Sequence, residues 1–160
     1  MLAKTQWQDL IPHRDAMSLL DCVVDWTDTE IHLTASSHRD PKNPLRSDNV
    51  LRSVHLCEYG AQAMAVHGGL IAQAAGTVAS PGFLVSLRGI ELFVARIDDL
   101  PEDLHVYAEK SSADDSSLLY TFRVEHAGQR IGEGRAMVSL TSAANDVQRS
   151  AIRGEVSRKE

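Results

Sequence analysis

The chain has 160 residues, enough for one domain with a real core and too few for two comfortable ones. Apolar residues make up 43% and charged residues 24%, as in globular proteins; a net charge of −6 and an aromatic share of 5% argue against nucleic acid as a partner, which needs a basic face and stacking rings. Two cysteines cannot build a disulfide framework, and Cys22 and Cys57, each in apolar surroundings, read as buried reduced thiols.

The first ten residues lack the apolar run of a secretory signal. The most apolar window, residues 54–79, is interrupted by His55, Glu58, Gln62, His67 and Gln73, so no membrane span is expected and the expected location is the cytoplasm. Residues 3–10 can form a short helix with Trp7 and Leu10 on one side, stopped at Ile11 because Pro12 disfavours a helical residue before it. A polar loop, Pro12-His13-Arg14-Asp15, follows. Residues 19–26 and 30–35 alternate or are β-branched around Thr27-Asp28-Thr29, the pattern of a β-hairpin. Residues 36–53 hold two prolines and little periodicity, and a loop of this length is usually functional or disordered. It carries Arg39, Lys42, Arg46 and Arg52 against Asp40 and Asp48.

Residues 54–70 read as a helix that is apolar or small on nearly every face and must therefore be buried. Ser53 is its expected N-cap, and Gly68-Gly69, or a turn beyond, its expected end. Glu58 stands in its first turns with Gln62 one turn later on the same face. A buried carboxylate needs a reason, either chemistry or a structural hydrogen bond to a strand or to Gln62. After Ser80-Pro81-Gly82 the period becomes two, giving strands at 84–94, 104–111, 118–126 and 130–140. Hairpin, buried helix and a run of antiparallel strands make an α+β domain, one sheet wrapped on one central helix over residues 1–142, with 143–160 a polar mobile tail. Beside Glu58 the other candidate for chemistry is the loop histidine, His13. The remaining histidines, His32, His38, His55, His67, His105 and His126, form no pair at metal-ligand spacing, so no metal site is expected.

Leu10-Ile11-Pro12-His13-Arg14 with Met17-Ser18-Leu19-Leu20-Asp21, followed by Glu58-Tyr59-Gly60-Ala61-Gln62, resembles the two motifs of the hot-dog-fold 3-hydroxyacyl-[acyl carrier protein] dehydratases over residues 8–142. The chain departs from the main fatty-acid type in lacking its Gly-His-Phe-Pro loop and the Pro-Gly pair before the helix, where Asn43-Pro44-Leu45-Arg46 and Arg52-Ser53 stand, and looks closer to the branch of aryl polyene biosynthesis clusters. The resemblance implies a hot-dog fold and removal of water from a 3-hydroxyacyl thioester carried on the phosphopantetheine arm of an acyl carrier protein, with no metal and no cofactor of the enzyme's own. It implies that His13 takes the C2 proton and Glu58, kept protonated by apolar surroundings, donates to the departing hydroxyl. Backbone N–H groups at Ser53, Val54 and His55 would hold the thioester oxygen, and Gln62 would orient Glu58 or a water. It further implies a dimer, with itself or with a homologous subunit, in which His13 of one chain meets Glu58 of the other. The acidic carrier protein would dock on Arg39, Lys42, Arg46 and Arg52. The alternatives are a hot-dog thioesterase, which would use a carboxylate to activate water, and a catalytically weak acyl-binding subunit of a dehydratase heterodimer.

Overall fold

In the computed structural model residues 1–113 and 116–140 are described; the tail expected at 143–160 lies outside them. The strands are β1 (Leu2–Ala3), β2 (Cys22–Trp26), β3 (Glu30–Ala35), β4 (Gly82–Leu92), β5 (Leu104–Ala113), β6 (Ser117–His126) and β7 (Gln129–Leu140), and the helix is α1 (Leu56–Ala74). They form one antiparallel sheet in the order β1-β2-β3-β5-β6-β7-β4. No described helix is long and apolar enough to cross a membrane.

Period-two patterning decides which face of the sheet meets the helix. Ile31, Leu33 and Ala35 of β3, Leu104, Val106 and Ala108 of β5, and Tyr120, Phe122 and Val124 of β6 are buried in one core with Leu56, Tyr59, Ala63, Met64, Val66 and Leu70 of α1. Each large side chain so buried contributes about 1.5–3 kcal/mol. The small residues of α1 serve close approach: a Cβ on Gly60 would lie 2.6 Å from the Phe122 ring, and one on Gly69 would lie 2.7 Å from Leu10 Cβ. The helix runs about a turn beyond Gly68-Gly69, the longer of its two expected ends, to Ala74, and stops where Gly76, at φ 68°, takes the left-handed conformation.

Three expectations are corrected. Ser53 is not the helix N-cap: Ser53–His55 form a 3₁₀ turn, and His55 caps α1 without a side-chain hydrogen bond. The expected N-terminal helix is two 3₁₀ turns, Lys4–Gln6 and Gln8–Leu10, preceded by β1, a strand too short for periodicity to reveal. Cys22 and Cys57 are free thiols, half-buried rather than buried; burial still pushes the Cys57 thiol up.

Arg46 gathers much of the loop of residues 36–53 around one guanidinium. Arg46 donates to the carbonyls of Asp40 (2.9 Å), Asn49 (3.0 Å), His38 (3.2 Å) and Arg39 (3.3 Å), and lies 3.6 Å from Asp98. Asp21 Oδ2 accepts from both the N–H and the hydroxyl of Ser36 at 2.6 Å, tying the loop to the start of β2. At the far side of the sheet β4 is an edge strand whose apolar side chains face solvent: Phe83 is 59%, Leu84 46% and Val85 56% exposed.

Candidate active site

His13 reaches the first turns of α1 because the segment that carries it is fastened at several points. Trp7 and Ile11 are buried, Leu10 lies against Gly69, and Lys4 Nζ donates to the Ser18 carbonyl. Arg14 Nη1 donates to the carbonyls of Gln8 (3.2 Å), His13 (3.1 Å) and Ile11, closing the turn around His13. The next residue, Asp15, is at φ 51°, a left-handed conformation unfavourable for a residue with a Cβ.

Gln62, fully buried, joins the two halves of the site. Its Oε1 accepts from the Leu19 N–H (2.9 Å); its Nε2 donates to the Met17 carbonyl (2.8 Å) and to Glu58 Oε1 (2.8 Å). With both amide hydrogens and the oxygen engaged, Gln62 orients Glu58 rather than a water, and it locks residues 17–19 onto the helix. His13 Nε2 then lies 3.3 Å from Glu58 Oε1, within ion-pair distance and within one chain. The expectation that His13 of one chain would meet Glu58 of another is corrected: the strap through Gln62 brings both together in the same subunit. The His13 and Glu58 side chains keep 27% and 34% of their surface exposed, so Glu58 is not the buried carboxylate that the helix pattern suggests. His13 Nδ1 is buried and has no hydrogen-bond partner among the described residues.

Of the three helix-start groups, the Ser53 N–H donates to the Ala95 carbonyl (3.2 Å) and the His55 N–H to the Arg52 carbonyl (3.1 Å). Both are spent and cannot hold a substrate oxygen. Val54, 53% exposed, is left as the one of the three without a backbone acceptor among the described residues. Among the four cations of the loop, Arg46 is committed to the carbonyls named above, and Arg39 donates to Pro101 O (3.0 Å) and pairs with Asp103 (2.6 Å). Lys42 and Arg52 remain exposed.

Two histidine clusters elsewhere escaped the sequence reading. His67 is fully buried; Nε2–H donates to the Thr27 carbonyl (2.8 Å), so Nδ1 accepts from the Tyr120 hydroxyl (2.9 Å). Burial pushes His67 below and Tyr120 up to about 12 from their ordinary values. On the opposite face of the sheet, the β3–β5 register sets His32 Nε2 2.8 Å from His105 Nδ1, with the Tyr107 ring stacked on His32 at 4.2 Å. Burial, then His105 and Arg123, hold His32 below the usual histidine range. The groove there, about 590 Å³ and lined by His32, Tyr107 and Arg123 among others, contains neither His13 nor Glu58. Among the described residues no three metal-binding groups converge.

Comparisons with known proteins bear on the fold and the family. A solved structure titled as the dehydratase heterocomplex ApeI:P from Xenorhabdus doucetiae superposes with a TM-score of 0.78 at 19% identity, covering 92% of this chain and 97% of that one. A putative thioesterase from Shewanella oneidensis gives 0.59 at 11% identity over 87% and 94% of the two chains, and a hypothetical thioesterase with coenzyme A from Streptococcus pneumoniae 0.59 at 11% over 88% and 98%. These likenesses establish the hot-dog fold. No curated protein matches the sequence significantly. A family model described as ApeP dehydratase matches residues 5–149, nearly the whole chain, and the chain belongs to this ApeP-like dehydratase family.

Proposed function

We propose that this dehydratase acts on a 3-hydroxyacyl thioester carried by an acyl carrier protein and leaves the trans-2-enoyl thioester, in fatty-acid or aryl-polyene-type synthesis. The observation that carries the reading is the approach of His13 Nε2 to Glu58 Oε1, 3.3 Å, at the open end of the central helix. Dehydration next to a thioester needs a group to remove the C2 proton, a group to protonate the departing hydroxyl, and a donor for the oxygen that gains charge. The first two demands fall on this pair. The Val54 N–H meets the third, at the N-terminal end of α1 where the helix dipole favours developing negative charge. The phosphopantetheine arm is part of the substrate, and the reaction calls on no cofactor bound by this chain.

The exposed apolar edge of β4, with Phe83, Leu84 and Val85, calls for a second subunit, since an open hydrophobic strand otherwise invites aggregation. A homologous dehydratase-like chain fits that edge, in line with the heterocomplex named above. Lys42 and Arg52, the two loop cations whose side chains have no partner among the described residues, are the proposed contacts for an acidic carrier protein.

The test is turnover of a carrier-linked 3-hydroxyacyl thioester by the purified chain, alone and with its homologous partner, with the product identified by mass. Enoyl thioester is expected, and Lys42→Glu should raise KM for the carrier with little change in kcat. Release of a free acid and the carrier thiol would transfer the chain to the thioesterase reading.

A further inference from the structure

The direction of the hydrogen bonds around the His13–Glu58 pair determines which residue moves the proton. Gln62 is fixed by the backbone: turning its amide over would place N–H against the Leu19 N–H and oxygen against the Met17 carbonyl oxygen. Its Nε2 must therefore give its second hydrogen to Glu58 Oε1, and that oxygen is an acceptor. His13 Nε2 faces the same oxygen at 3.3 Å. A ring-nitrogen lone pair turned towards a carboxylate lone pair would be repulsive, so a proton lies between them, and Oε1, already an acceptor from Gln62, is suited to accept it from the nitrogen. The other end of the ring agrees. His13 Nδ1 is buried within this chain and has no acceptor among the described residues. A hydrogen placed there would be an orphaned buried donor, the rarer and costlier kind of unsatisfied group. Both observations give the same tautomer, Nε2–H.

We propose that Glu58 carries the proton in both halves of the reaction and that His13 is a positioning residue, which donates Nε2–H to the carboxylate and transfers no proton. This rests on the dehydratase reading of the same site and departs from the roles implied by the family resemblance, giving Glu58 the proton removal assigned there to His13. The step balances within the pair and the substrate. The Glu58 carboxylate takes the C2 proton, the C2–H electron pair becomes the C2–C3 double bond, and the C3–O bond breaks. The departing hydroxyl takes the proton from the newly formed Glu58 carboxyl and leaves as water. The carboxylate is regenerated and His13 is unchanged, so the next turnover begins without an external acid or base.

The test compares His13→Gln, His13→Ala and Glu58→Gln in the complex that turns over, each checked for native circular dichroism. Gln at position 13 can present an N–H where Nε2–H stood but cannot accept a proton. Turnover, the shape of the pH–rate profile, and uptake of solvent deuterium at C2 are the readouts. His13→Gln should stay within about tenfold of wild type with the profile unchanged, and His13→Ala should fall about a hundredfold. Glu58→Gln should fall about a thousandfold and lose C2 exchange. The proposal is overturned if His13→Gln is as inactive as His13→Ala while Glu58→Gln still exchanges the C2 hydrogen. Wild type that makes no enoyl product at all would bring down the dehydratase reading as well, a result distinct from a reversal of roles.

Discussion

Two histidines meet oxygen atoms on the central helix side of the sheet, and their surroundings give them opposite work. His67, on α1 itself, is sealed in the core with both ring nitrogens satisfied, by the Thr27 carbonyl and the Tyr120 hydroxyl. His13 reaches α1 from a loop, keeps 27% of its side chain exposed, has one nitrogen without a partner among the described residues, and turns the other to a carboxylate that is also part-exposed. A fully satisfied buried pair specifies one packing and offers a substrate nothing. A part-exposed and incompletely satisfied pair can change partners, as an acid–base site must. The contrast teaches that burial alone is a poor guide to a candidate site: the more deeply buried histidine is the one whose ring nitrogens are both taken.

The comparison breaks most decisively at Glu58. Glu58→Gln, which preserves shape and the hydrogen bond to Gln62, should lower kcat about a thousandfold with the melting temperature nearly unchanged, read by steady-state turnover beside thermal unfolding. His67→Leu is the mirror experiment. It strands the Tyr120 hydroxyl and the Thr27 carbonyl in the core and should cost about 2–4 kcal/mol in denaturant unfolding, each orphaned group contributing about 1–3 kcal/mol, while turnover per folded molecule persists. Gly60→Ala sharpens the same division between packing and chemistry. The added Cβ at 2.6 Å from the Phe122 ring forces the helix outwards, for about 1–3 kcal/mol of stability lost in the same assay.

The smallest effect is in pH. Burial holds His67 and His38 below the ordinary histidine value of 6.5 in the folded chain, so below about pH 6.5 the unfolded chain binds protons that the folded one refuses. Stability should therefore fall as pH drops from about 6.5 towards the folded values, with a slope of at most about 1.4 kcal/mol per pH unit for each histidine. His67→Gln, which cannot titrate, should flatten that slope in urea unfolding followed across pH 7 to 5.

Much of the fold was legible because its elements advertise themselves. The four late strands fall within two residues of the ranges that period-two alternation marks, and the hairpin closes around Thr27 as its turn chemistry suggests. What alternation could not show was decided by tertiary packing. Leu19 looks like the start of a strand, but its N–H goes to Gln62, and β2 begins only at Cys22. Gly69 looks like a helix stop, but its missing side chain is what lets Leu10 sit down. In the candidate site, residue identities came from the motifs and their meeting did not. No spacing rule joins His13 to Glu58, and the family resemblance placed them on different chains; Gln62, bridging residues 17–19 to the helix, is what makes the pair internal. Nor could the sequence separate the loop cations, because the acceptors of Arg46 are backbone carbonyls, which leave no trace in residue type.

The central claim is that this chain's own His13–Glu58 pair performs the dehydration. The most direct measurement is product formation by a complex in which only this chain carries Glu58→Gln and its partner subunit is wild type, with the carrier-bound acyl group weighed before and after. Loss of the enoyl product, with the complex still assembled, is the predicted result. Unchanged production by the same complex would place the chemistry in the partner and leave this chain an acyl-binding subunit.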